Sequence, residues 1–327
     1  MQRARLPGPA GADYRRSPMS APSQAIPAQP SAAEFRFGVT LVAGAGLFWS
    51  FGGTIARFIT EPDPWTIVFW RASFASLFLL LFMLWHSGPK ETVRMFRAMG
   101  FAGIAVAFCF GIASSCFVIA LQFTTVANVL LTQAAAPLFA ALLAWSAFGE
   151  RVNMATWLAI AAVIFGVAVM VSGSFSGEVS PLGDGLALLI TVMFATAIVI
   201  TRHYTEVRMM PAVCLGTAMA AAAASCLAGA FAVTAPDMAW LVLFGAINLG
   251  AGLAMFSTGA RLVPAALVAL VGTVEPVLAP VWVWMFHGEV PGIRTLIGGS
   301  IVFTALVAHI LNDWRRQRER RRTKSTA

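Results

Sequence analysis

The sequence predicts an all-α membrane protein: ten transmembrane helices built as two inverted five-helix repeats. Three observations predict it. First, 59% of the 327 residues are hydrophobic and only 11% are charged, against about 25% charged in a soluble domain. Second, the charge is confined to short gaps between apolar runs of about twenty residues. As a helix rising about 1.5 Å per residue, each run can cross roughly 30 Å of hydrocarbon. Third, one pattern occurs twice. Residues 133–150 read QAAAPLFAALLAWSAFGE and residues 272–289 read GTVEPVLAPVWVWMFHGE. At a shift of 139 residues they agree at Pro137/Pro276, Ala140/Ala279, Trp145/Trp284, Gly149/Gly288 and Glu150/Glu289. An apolar helix ending in Gly-Glu in each half marks a duplicated membrane unit.

Residues 1–34 come first. They are rich in Ala, Pro, Arg, Ser and Gln and lack an apolar core, the composition of a disordered cytoplasmic segment. They are no signal peptide, because the first apolar run begins near Phe37 and is too long for an h-region. The Arg-rich stretch before Met19 leaves Met1 and Met19 as alternative starts. Ten spans follow, at 37–59, 65–86, 99–121, 125–147, 154–172, 185–203, 211–233, 239–259, 264–286 and 294–311. Turn residues occupy the breaks: Pro62 and Pro64, Gly88 and Pro89, Gly173 to Pro181, Pro236, Pro264, and Pro291 with Gly292. The third and fourth spans are separated by so little chain that they form a tight hairpin. The first repeat takes residues 35–174, the second 181–312, and a basic cytoplasmic tail 313–327.

The halves also align at Gly38 to Arg57 against Gly183 to Arg202, and at Gln122 against Arg261. The unit is therefore five helices, and an odd number forces the second copy to enter the membrane upside down. With both termini in the cytoplasm, nineteen of the twenty-two Lys and Arg residues fall inside, and only Arg57, Arg71 and Arg294 fall on or towards the outside. The positive-inside rule selects that orientation; the expected location is the plasma membrane, as a multi-pass protein of a bacterial inner membrane. The net charge of +8 is thus an orientation signal and not a nucleic-acid footprint. The run from Arg315 to Lys324 anchors the last span, against anionic lipid. Cys109, Cys116, Cys214 and Cys226 lie in apolar stretches without metal-ligand spacing and read as packing residues.

Three motifs come in order: Ala120-Leu121-Gln122-Phe123-Thr124-Thr125-Val126-Ala127-Asn128, then Pro137 to Trp145, then Gly149-Glu150-Arg151. The second half repeats them in part, at Arg261, Pro264, Glu275-Pro276 and Gly288-Glu289. Over residues 37–311 the chain resembles the EamA domain of the drug/metabolite transporter superfamily. The resemblance implies ten helices, both termini in the cytoplasm, and export or uptake of small organic metabolites. Pro280, Trp282 and Val290 depart from the family pattern.

Glu275 is the sharpest candidate for the substrate cavity. A charge inside a span costs about 2.5–3.5 kcal/mol on insertion scales, so it must be protonated, paired or facing a wet cavity. It reads as a substrate or proton site; the rival is a neutral acid bonded to a carbonyl freed by Pro276. Arg71 either reaches Glu275 or snorkels to the outer surface, and the second reading is preferred. Gln133 and Asn248 offer amides to a substrate or to neighbouring helices. Trp49, Ser50 and Phe194 line the cavity or simply pack. Pro137 and Pro276 mark a matched hinge or static kink. Gly149 and Gly288 end their helices as C-caps, Glu150 and Glu289 brace neighbours, and Trp145 and Trp284 sit as interface anchors. Gly103, Ala107 and Gly111, with the Ala-rich run 220–224, form small-residue packing stripes. His309 reads as a packing residue.

No Walker-type loop is present, and no HExxH or paired intramembrane acids, which argues against ATP hydrolysis and intramembrane enzymes. No metal or cofactor is expected; the expected partners are a small solute, protons and the bilayer. The function expected is a secondary transporter of an amino-acid-like or drug-like metabolite working by alternating access, with export as the direction. Uptake, and a lipid-handling or structural role, remain as alternatives.

Overall fold

The computed structural model describes residues 31–149, 153–172, 180–204, 208–263, 268 and 273–325. The expected N-terminal segment and the two alternative starts lie outside the described residues apart from Ser31 onwards, as do Glu150, Arg151, Pro264 and Gly272.

Every described element is helical. The first span is α1 (Ala32–Ser50) and α2 (Gly52–Phe58); the second is α3 (Pro64–Ala98) and the third α4 (Gly100–Ala120). The fourth is α5 (Val126–Gln133) with α6 (Ala136–Phe148), and the fifth is α7 (Met154–Ser172). The second repeat gives α8 (Pro181–His203), α9 (Met209–Ser225), and an eighth span of α10 (Ala235–Val242), a π-helix (Leu243–Ala251) and α11 (Gly252–Gly259). It ends with α12 (Val274–His287) and α13 (Ile293–Ser325). Eight helices are long and apolar enough to cross a membrane; α9 and the described part of the ninth span are shorter. This is a multi-pass membrane protein of two five-span repeats. Five crossings each make the repeats run in opposite senses.

The boundaries differ from expectation for local reasons. The first helix starts at Ala32 because Ser31 and Glu34 form a capping box, Ser31 N–H donating to Glu34 at 2.7 Å and Glu34 N–H to Ser31 Oγ at 3.2 Å. The sixth starts at Pro181, where Ser180 caps Leu182 N–H. The seventh ends at Ser225, eight residues early. The chain beyond it gives its backbone to the second span instead: Gly229 N–H donates to Asp63 at 3.0 Å, and Trp70 Nε1–H donates to Phe231 O at 3.0 Å. Gly88, at φ 77°, breaks α3 where Gly88 and Pro89 were expected to end it. The last helix runs on to Ser325, through the region read as a tail.

The most extensive helix pairings all join one repeat to the other: α4 with α8 and α9, α3 with α9, α7 with α13, and α1 with α11. Small residues allow the close crossings. A Cβ on Gly216 would lie 2.3 Å from Ala107 O, and one on Gly111 2.9 Å from Gly216 O. Gly166 and Gly298 make the same backbone contact between α7 and α13. Ala107 and Gly111 thus form the expected stripe, whereas a Cβ on Gly103 would meet Met99 of its own segment. A mixed core of Ala113, Ala120, Val126, Ile190, Ala279 and Val283 ties α4, α5, α8 and α12 together. Large apolar side chains such as Trp85, Phe101, Leu158 and Phe165 are exposed on the outer surface, where lipid would cover them.

Gly216→Leu should destabilise the protein by about 1–3 kcal/mol, the range for overpacking, because the obstructing atoms are backbone. Thermal unfolding in detergent checks this, with Gly185→Ala, which meets nothing within 4 Å, as the neutral comparison.

Candidate functional site

Three spans are interrupted inside their length among the described residues, and Ser50, Gln133 and Asn248 lie at or next to those interruptions. The first span breaks between α1 and α2 at Phe51, the fourth at Ala134 and Ala135, and the eighth widens into the π-helix; the described part of the ninth span is α12, which begins after Thr273. Interrupted helices are tolerated in membranes where the freed backbone groups find partners or line a cavity. Pro137 falls in the opening turn of α6, just after the fourth-span break, and Pro276 in the opening turn of α12. Pro137 was expected in mid-helix; it takes a first-turn position instead, where its missing N–H costs nothing.

Asn248 sits in the π-helix, buried, and its side-chain amide donates to the Phe48 carbonyl at the first-span break. Gly52 lets it approach: a Cβ there would be 3.2 Å from Asn248 Oδ1. The amide is spent on a backbone group. Ser50 is also engaged, donating to Leu47 O at 2.7 Å and accepting from Trp282 Nε1–H at 3.0 Å. Trp282 stacks on Phe51 at 4.8 Å. Trp49 lies 5.3 Å from Phe256, and its indole N–H is buried without a partner among the described residues. Phe194, its counterpart in the repeat, packs edge-on against Phe110.

Arg71 corrects the preferred expectation. It does not snorkel: it is 6% exposed, donates to Ser114 Oγ at 2.8 Å, and lies 4.2 Å from the Phe244 ring and 5.5 Å from Phe117. Nor does it meet Glu275, because α3 packs on α4, α9, α10 and the π-helix while α12 packs on α1, α2 and α5. Two aromatic faces and the Ser114 hydroxyl and carbonyl meet a charge that a long side chain could have carried to the surface, while its Nε has no partner among the described residues.

Glu275 and Gln133 are the two predicted residues left over. Both are half-buried, and neither makes a side-chain hydrogen bond or ion pair to a described residue. They sit on adjacent helices, α12 and α5. Around α12, Pro276, Ala279 and Val283 face the core, and Val277, Val281 and Trp284 face outward. Glu275 and Trp282, seven residues apart, share a third face, turned to Ser50 and Phe51. By helix rise Glu275 is about 18 Å in from His287.

Sequence reasoning missed the polar clasp at the end of the molecule where α2 stops. Arg57 Nε donates to Glu289 at 2.9 Å, and its Nη atoms donate to Leu121 O at 2.6 Å and Thr124 O at 3.0 Å. The other Glu289 oxygen accepts Val126 N–H at 2.8 Å. One ion pair thus caps the C-terminus of α4 and the N-terminus of α5, where each charge suits the helix dipole. Glu289 was expected to brace neighbours, and it does; its partner was not foreseen. Beside it, buried Asn128 donates to Thr124 Oγ1 at 3.0 Å and to buried Asp184. Thr60 donates to Asp237 through its backbone and its hydroxyl, each at 2.8 Å. Asp63 accepts from Trp65, Thr66 and Gly229. Burial pushes the Asp63 carboxyl up, but these hydrogen bonds outweigh it and hold it below the usual carboxylate range. That stabilisation is present above the ordinary carboxylate pKa and is lost as pH falls through the lowered one. Asn128 lay inside a motif already noted, but nothing in the sequence said that Asp184 would meet it. Among the described residues, no three His, Cys, Asp or Glu side chains gather as metal ligands would.

Two inverted five-span repeats with interrupted helices define a membrane transport protein of the drug/metabolite type. The EamA-like transporter family matches residues 36–172 and 181–310, and the chain belongs to that family. A solved crystal structure 17% identical to it, spanning 84% of this chain and 96% of its own, superposes with a TM-score of 0.54 and so shares the fold. Among curated proteins none matches.

Glu289→Ala should cost about 1.5–3 kcal/mol, the range for hydrogen bonds to charged groups, since its side chain is only 19% exposed. Glu91→Ala, which breaks the pair to a 75% exposed Arg94, should cost under about 1 kcal/mol. Equal melting shifts for the two variants would refute the ranking.

Proposed function

We propose that this protein is a secondary transporter that moves a small organic solute across the plasma membrane by alternating access, with Glu275 as the group that meets the solute or a proton. One observation carries the reading. Glu275 is a carboxylate far inside a span, partly accessible, and without a partner among the described residues. An acid there is costly, and structural acids in this chain, such as Asp184 and Asp237, are bonded. A group left open toward an aromatic face suits a ligand that comes and goes. Gln133, on the adjacent helix and equally open, supplies a neutral donor and acceptor. Asn248 and Ser50 serve the wall of the site, holding Phe48 and Trp282 in place; Arg71 is a structural residue of the α3–α4 contact.

The inverted repeat supports alternating access, because exchanging the conformations of two related halves turns an opening on one side into an opening on the other. The distribution of Lys and Arg supports cytoplasmic termini, which puts the Arg57–Glu289 clasp outside. Cargo and direction follow from one comparison: metabolites of cells lacking the protein against cells overproducing it. A compound that accumulates inside the first and outside the second is an exported cargo.

With that compound in proteoliposomes, Glu275→Gln should lower the transport rate at least tenfold and flatten its pH dependence while leaving membrane insertion unchanged. A normal rate with a normal pH profile would remove Glu275 from the mechanism.

A further inference from the structure

The two ends of the molecule carry the same ring contact with its partners exchanged. Phe58, next to Arg57, corresponds in the repeat to His203, next to Arg202. Phe148, just before Gly149, corresponds to His287, just before Gly288. Phe58 lies edge-on to His287 with ring centroids 4.4 Å apart, and Phe148 stacks on His203, also at 4.4 Å. Each contact joins the first repeat to the second. Each involves the last residue of a helix that stops at a left-handed glycine, Gly149 at φ 64° and Gly288 at φ 66°.

We propose that these two contacts are the gates of the transport path: Phe58–His287 closes the outer end and Phe148–His203 the inner end, and one separates in each half-cycle. The proposal rests on the transporter reading above. Both contacts are made in this structure, the arrangement of a passage shut at both ends. They are not equally firm. The outer one is half-buried under the Arg57–Glu289 clasp, His287 Nε2 lies 3.1 Å from Thr54 O, and Phe58 also stacks on Trp240 at 4.6 Å. The inner one is exposed on both rings. The inner gate therefore opens first from this state.

The test uses full-length protein with Gln133→Cys as the reporter in a background with the four native cysteines replaced. The reporter is labelled with a membrane-impermeant maleimide from outside in spheroplasts and from inside in inverted vesicles. Phe58→His would set two imidazoles face to face at the outer gate, and Phe148→His would do so at the inner one, so that zinc can bridge either pair. Zinc on F58H should cut outside labelling at least tenfold and spare inside labelling. Zinc on F148H should do the reverse, and a chelator should restore both. Labelling that zinc leaves unchanged in both variants would overturn the gates while leaving the transporter reading standing. A reporter reached from neither side without zinc would overturn both. Should F58H fail to fold, His287→Ala replaces it, with a several-fold rise in outside labelling expected and no rise counting against the gate.

Discussion

In hydrocarbon every backbone N–H and C=O needs a partner inside the protein, and each unpaired one costs several kcal/mol. Among the described residues this fold interrupts three of its spans and turns sharply between the third and fourth, and it supplies the freed backbone groups with side-chain partners. Asn248 answers the carbonyl of Phe48; Arg57 answers those of Leu121 and Thr124; Glu289 answers the N–H of Val126. Asn248 thus answers the break in the first span, whereas Arg57 and Glu289 answer the turn between the third and fourth spans. Glu275 and Gln133 stand out because they answer nothing within the described chain.

The second constraint is close approach. A bilayer supplies no hydrophobic drive between helices, so contact area and backbone proximity decide which helices pair. The glycines of α4, α9, α7 and α13 fall at the crossings between repeats, so the two halves are held together by the interfaces that alternate opening would have to preserve. The weaker, side-chain contacts sit at the two ends. Close backbone packing between the repeats, with side-chain contacts at the two ends, suits the alternating access proposed above.

Much of this was legible in the sequence. Span count, the doubled unit, the glycine caps and the odd-number argument for inversion all follow from hydropathy and self-comparison, because those signals are local or repeat at a fixed offset. The capping box Ser31–Glu34 was equally readable and moves the first helix start by five residues. What could not be read is which polar residues meet across the interface. Arg71 has the composition of a snorkelling residue, and its burial is met by the Phe244 and Phe117 rings and by Ser114, all distant in sequence. Arg57 and Glu289 are 232 positions apart, and no period in the chain links them. The π-helix was likewise invisible: its sequence is apolar throughout except for Asn248, and its Gly245 lies close against the Arg71 carbonyl and Phe74 of α3, a contact no local pattern announces.

A carboxylate held open at depth also sets the bookkeeping of a transport cycle. If Glu275 serves the cargo, then shutting both ends around it is easiest when its charge has been neutralised, by a proton or by something positive on the solute. An empty, ionised carrier would resist enclosure and stay on the side where it last released its load. Such a carrier does not slip: idle returns are suppressed by the same desolvation that makes the residue costly, and each crossing stays tied to one neutralising event.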